Sequence, residues 1–123
     1  MSEPSQLVIA ERQDGDVAIL TLSGQMTLDD GDLVFGRHVS ALATRGVVKI
    51  VVDLGGVEFI DSSGVGMMAA KLKHLRERGG DLRLTRLTAR SQRLLGMLKL
   101  MLVFDTFDDE ATAVHSFKSR PTH

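Results

Sequence analysis

Two neighbouring serines, Ser62 and Ser63, stand between Asp61 and Gly64. A serine can act as a nucleophile, as a helix cap, or as an acceptor of a phosphoryl group. The nucleophile elbow needs Gly-x-Ser-x-Gly, and the residue two before Ser62 is Ile60, so that pattern fails. A nucleophilic serine also needs a base, usually histidine held by a carboxylate. Of His38, His74, His115 and His123, only His74 shares the local segment. Twelve helical residues separate it from Ser62, roughly 18 Å at 1.5 Å per residue. The histidines have no ligand spacing and there is no cysteine, so thiolate chemistry, disulfides and a cysteine metal site are excluded. Neither Gly-x-x-x-x-Gly-Lys-[Ser/Thr] nor Gly-x-Gly-x-x-Gly occurs. The free amides of a helix start can hold a phosphate, which leaves a weak nucleotide site open at this turn. No catalytic residue, cofactor or metal is expected.

The flanking residues say what positions the serines. Val47-Val48-Lys49-Ile50-Val51-Val52-Asp53-Leu54 is apolar at nearly every position, as in a strand buried on both faces. Val65, Met68, Ala69, Leu72 and Leu75 recur at spacings of three and four, one face of a helix. Asp-Ser-Ser-Gly between them suits an N-cap, with a serine as cap and Asp61 favouring the helix dipole. The hydroxyls therefore stand at the C-terminal end of a buried strand, where binding sites gather in open α/β sheets. Capping leaves Gly64 and Gly66 unexplained, since each weakens a helix by about 1 kcal/mol and neither offers side-chain packing. A bare first turn edged by Met67 suits a surface on which another chain lies close.

The remaining segments alternate. Leu7–Arg12 reads as a strand, Asp14-Gly15 as a hairpin turn, and Val17–Leu22 as an interior strand ended by Ser23-Gly24. A helix is expected from about Thr27, with Thr27 and Asp30 as a capping box and Phe35, Val39, Leu42 and Ala43 buried. Gly36 within it is a cost of about 1 kcal/mol. Gly79-Gly80 should close the helix after the serines, and Asp81–Leu87 alternates like a half-exposed strand. Thr88 can cap a helix with Leu94, Leu95, Leu98 and Leu102 inward; Val103–Phe107 is a short edge strand. A last helix buries Ala111, Val114 and Phe117. The order β-β-α-β-α-β-α-β-α predicts one α/β domain, a mixed and mostly parallel β-sheet with about four helices. Residues 7–118 form that domain, with disordered ends at 1–6 and 119–123.

Charge excludes further classes. The formal net charge is −1, so no overall attraction to nucleic acid or membrane is expected. Lys71–Arg93 carries eight Lys/Arg (71, 73, 76, 78, 83, 86, 90, 93) against Glu77 and Asp81. No Trp or Tyr occurs and no Phe falls there, so stacking of nucleic-acid bases lacks its platform. A solvated face, or a face for an acidic partner protein, is left. The N-terminus has no basic segment followed by an apolar run, and no stretch approaches the ~18–20 apolar residues of a membrane span, so the expected location is cytoplasmic.

Phe59-Ile60-Asp61-Ser62-Ser63-Gly64-Val65-Gly66 resembles the signature of the STAS domain of bacterial anti-sigma factor antagonists. Val51–Leu54, Gly79–Leu82, Leu22-Ser23-Gly24, Phe104-Asp105 and Asp109-Glu110-Ala111 also fit, so the likeness spans roughly 7–118. One departure is Gln25, where many relatives carry an acid beside the partner surface. The resemblance implies a STAS fold and partner switching without enzymatic activity. The unmodified protein would bind an anti-sigma factor that is also an ATP-dependent serine protein kinase. Phosphorylation of Ser62 would release it and a serine phosphatase would reset it. Asp61, Ser63, Gly64, Gly66 and Met67 would border the partner. A second expectation is a STAS scaffold or small-ligand module of a transporter or sensor complex.

Overall fold

The computed structural model describes residues 7–118; the expectations for 1–6 and 119–123 lie outside them. Its elements run β1 (Leu7–Asp14), β2 (Val17–Met26), α1 (Gly31–Thr44), β3 (Lys49–Ile60), α2 (Ser62–Glu77), β4 (Asp81–Thr85), α3 (Ala89–Met97), β5 (Thr106–Phe107) and α4 (Glu110–Lys118). The five strands lie in sequence order, β1 antiparallel to β2 and every later pair parallel. This is the mixed, mostly parallel sheet with four helices that the alternation predicts. Gly15, at φ +63°, makes the hairpin turn between Asp14 and Val17.

Side-chain alternation in the inner strands divides the core in two. Ala18, Leu20 and Leu22 of β2 and Ile50, Val52 and Leu54 of β3 join Phe35, Val39 and Leu42 of α1, Val65, Met68, Leu72 and Leu75 of α2, and Leu95 of α3. Val17, Ile19 and Val51, pointing the other way, meet Ala113, Val114 and Phe117 of α4. Both faces of β2 and β3 are therefore dry, which is why their sequences are continuously apolar.

Several boundaries differ from expectation. β2 continues through Ser23 and Gly24 to Met26, its register against β3 shifting twice, between Thr21 and Ser23 and between Gly24 and Gln25. β3 likewise runs on to Ile60, yet pairs with β4 only over Lys49–Asp53, so residues 54–60 are paired on the β2 side alone. β4 is buried except for half-buried Arg83. Arg83 is covered because its guanidinium lies 4.0 Å from the Phe117 ring centroid and bonds Asp81 at 2.8 Å. α1 starts at Gly31 after a left-handed Asp30 (φ 93°) that makes no side-chain cap bond. The expected capping box does not form, and Thr27 instead accepts the Asp32 amide through its carbonyl, at 3.0 Å.

α3 ends at Met97, because Lys99 turns left-handed (φ 61°) and the Leu100 amide reaches back to the Leu95 carbonyl at 2.8 Å. Leu95 is buried, but Leu98 and Leu102 point outward rather than inward. In α4, Ala111 is exposed and Ala113 takes the expected inward place. Gly36 has a reason: a Cβ there would stand 2.7 Å from Met67 Sδ, so α1 is left bare where α2 leans on it.

Candidate functional site

The turn joining β3 to α2 is organised by Asp61. Its backbone is extended (φ −124°, ψ −177°), its Oδ1 accepts the Gly64 amide at 3.0 Å, and its Oδ2 accepts the Leu28 amide at 2.9 Å. The cap is thus Asp61, which corrects the expectation of a serine in that place. One carboxylate satisfies a free amide of the helix start and also holds the loop before α1. That leaves both serine hydroxyls without a capping task. Ser62, the first residue of α2, is exposed, and Ser63 is half-buried.

The two glycines of the first turn have different roles. Gly66 is exposed, and a Cβ there would meet nothing within 4 Å. Gly64 is buried, and a Cβ there would lie 2.2 Å from the Met26 carbonyl oxygen. Gly64 therefore lets α2 close onto the end of β2, correcting the expectation that neither glycine serves packing. Met67 is half-buried against Gly36; with Leu33, Arg37, Ser40 and Lys71 they line a 300 Å³ cavity between α1 and α2.

Sequence reasoning missed the apolar border of this turn. Leu28 is 70% exposed, and Leu33 and Phe59 are also exposed. Leu28 falls within the helix expected from Thr27, whereas it sits in the loop that Asp61 binds. The available signal was the long-range demand of an aspartate with two oxygens and one local amide. Asp29 and Asp30 follow Leu28 and are exposed, so the loop that Asp61 holds is apolar and acidic.

The basic run does not form one stripe. Lys71 donates to Ser40 Oγ at 2.8 Å, Arg76 and Arg83 share Asp81 at 2.8 Å each, and Arg86 pairs with Asp53 at 3.2 Å. Arg90 lies 5.4 Å from the Phe59 ring centroid. His38 bonds Glu11 at 2.7 Å, while His74 and His115 are exposed on other helices. Among the described residues no three His, Asp or Glu side chains are grouped to hold a metal ion, and no helix is long and apolar enough to cross a membrane.

This geometry has relatives. The family model described as the STAS domain matches residues 8–113. An anti-sigma F factor antagonist from Paenibacillus polymyxa is 30% identical over 98 residues, covering 80% of this chain and 84% of its own. The chain is a STAS domain of the anti-sigma factor antagonist family. The structure of an anti-sigma factor antagonist from Thermotoga maritima aligns to this STAS domain with a TM-score of 0.84 at 23% identity, over 90% of this chain and 95% of that one. A Bacillus cell fate determinant, SpoIIAA, solved in a phosphorylated form, aligns at 0.71 with 16% identity, over 89% and 99%. At those identities the likeness is of fold.

Proposed function

We propose that this STAS domain is a regulatory, non-enzymatic cytoplasmic switch. Its unphosphorylated form binds an anti-sigma factor that is also an ATP-dependent serine kinase; phosphorylation of Ser62 ends that complex, and a serine phosphatase restores it. The observation that carries the reading is an exposed Ser62 hydroxyl, free of capping duty, on a turn whose shape Asp61 maintains. Family membership supports the partner class.

The physics of such a switch is local. A phosphoserine adds about −1.5 to −2 charges at neutral pH. At the first residue of a helix the dipole favours that charge, so the fold is retained. Docking changes instead, because a partner fitted to a neutral hydroxyl must desolvate a dianion beside Asp61. An unpaired buried charge costs several kcal/mol, and each ~1.4 kcal/mol is tenfold in affinity, so a loss of about a hundredfold or more is expected. Ser63, Gly66 and Met67 form the close-fitting floor; Asp61 and Gly64 give it its shape.

Protein isolated from its native cells should carry one added phosphate by intact mass, absent from Ser62→Ala. Ser62→Ala should capture an ATP-dependent serine kinase that Ser62→Asp does not, with both variants melting like the parent. Equal capture by the two variants would refute the switch.

A further inference from the structure

We infer that a second docking surface, separate from the Ser62 turn, lies between α2 and the α3–β5 loop, and that it receives an acidic amphipathic helix of a partner protein. It stands independently of the phospho-switch. The loop is anchored at both ends, since Leu100 packs on the core and Phe104 is buried in it. Between the anchors, the Val103 amide bonds the Leu100 carbonyl at 3.0 Å, a tight turn that turns Met101, Leu102 and Val103 outward. Leu102 is 98% exposed, and Met97 (70%), Leu98, Met101 and Val103 extend the apolar surface. Scattered exposed apolar residues are ordinary, but a contiguous run on an anchored loop marks an interaction site.

Shape and charge select the occupant. Val103 forms one wall of a 330 Å³ groove lined by Ala69, Leu72, Lys73, Arg76 and Glu77 of α2. A groove of that kind takes apolar side chains spaced along a helix, whereas a bilayer surface would leave it unfilled. Lys73 on the groove wall and Lys99 on the loop have no acidic partner among the described residues, while residues 86–104 contain no acid. Glu77 is the single acid lining the groove. Lys99 adds a separate argument. It holds the left-handed position after α3, where glycine is the usual residue, and a strained non-glycine residue points to a use for its side chain. Apolar teeth with unpaired cations around them match a helix bearing leucine-like residues at i, i+3 or i+4 and i+7, flanked by Asp and Glu.

The test is selection of a phage-displayed library of roughly 16-residue peptides, long enough for about four helical turns, against the full chain. Enriched peptides should show acidic amphipathic patterns and shift the amide resonances of residues 69–77 and 97–105. Leu102→Glu and Lys73→Glu should each weaken the best peptide at least tenfold, while melting and phosphorylation of Ser62 stay as in the parent. Failure to enrich acidic helices, a footprint elsewhere, or binding to phosphatidylglycerol vesicles in place of peptide would each overturn the inference. Loss of Ser62 phosphorylation in either variant would show that the two surfaces are not separate and overturn the inference, whereas absence of that phosphate from the parent would refute the first proposal and leave this one standing.

Discussion

Replacing Asp61 by Ala removes two bonds with one change, and Asn separates them. Loss of the cap to Gly64 should cost about 1 kcal/mol. Loss of the charge-assisted bond from the Leu28 amide should cost about 1 kcal/mol more, less than the ~1.5–3 kcal/mol of bonds to charged groups in general because this one faces solvent. Asp61→Ala should therefore lose about 2 kcal/mol in urea unfolding, close to an 8 °C fall in Tm for a domain of this size. Asn has one carbonyl oxygen to offer in place of two, so Asp61→Asn should lose about half as much. Amide exchange supplies the residue-level readout: Leu28 and Gly64 should both lose protection in Asp61→Ala. An Asp61→Ala cost below about 0.5 kcal/mol, or equal losses for Ala and Asn, would refute the two-bond account.

The two glycines of the same turn should respond oppositely. Gly64→Ala should lose roughly 2 kcal/mol or more by driving a methyl into the Met26 carbonyl. Gly66→Ala, with open space around it, should gain about 0.5–1 kcal/mol; urea titration of both checks the pair. Lys99→Gly should raise stability by about 1 kcal/mol by relieving the left-handed backbone. Asp109 accepts the Thr112 amide at 2.8 Å as α4 begins, and chiefly that bond lowers its pKa from the ordinary carboxylate value. A folded pKa below the unfolded one contributes stability above about pH 4 that is lost as pH falls through the folded value. Asp109→Ala should therefore flatten the acid limb of a Tm-against-pH curve and leave the alkaline limb unchanged.

What could be read from the chain and what could not divides by range. Val47–Leu54 and the stripe Val65, Met68, Leu72 and Leu75 announce β3 and α2, because burial on two faces or one leaves a periodic trace. The Asp14-Gly15 and Gly79 turns are equally local. The cap of α2 was not readable, because Asp61, Ser62 and Ser63 are three consecutive residues of cap-forming type. Only the Leu28 amide, 33 residues away, explains why the carboxylate takes the place. The same contact draws Leu28 out of the helix that the Thr27–Asp30 spacing suggested. Leu94, Leu95, Leu98 and Leu102 fit a helical face, and a lysine in a left-handed turn cuts that face short without a glycine to signal it. Gly64 and Gly66 look alike in sequence; the carbonyl that distinguishes them belongs to β2.

The central strand outruns its neighbour, and that has a consequence for solubility. Beyond Asp53 the edge of β3 facing β4 has no strand beside it, and a bare edge of seven residues is a template on which a second molecule can grow. α3 lies against that stretch, with the Arg86 guanidinium across Gly55 and Arg90 over Phe59. Two arginines and one short helix thus act as gatekeepers against aggregation. A fragment ending before α3 would keep the serine turn yet present an unguarded edge to every other copy in solution.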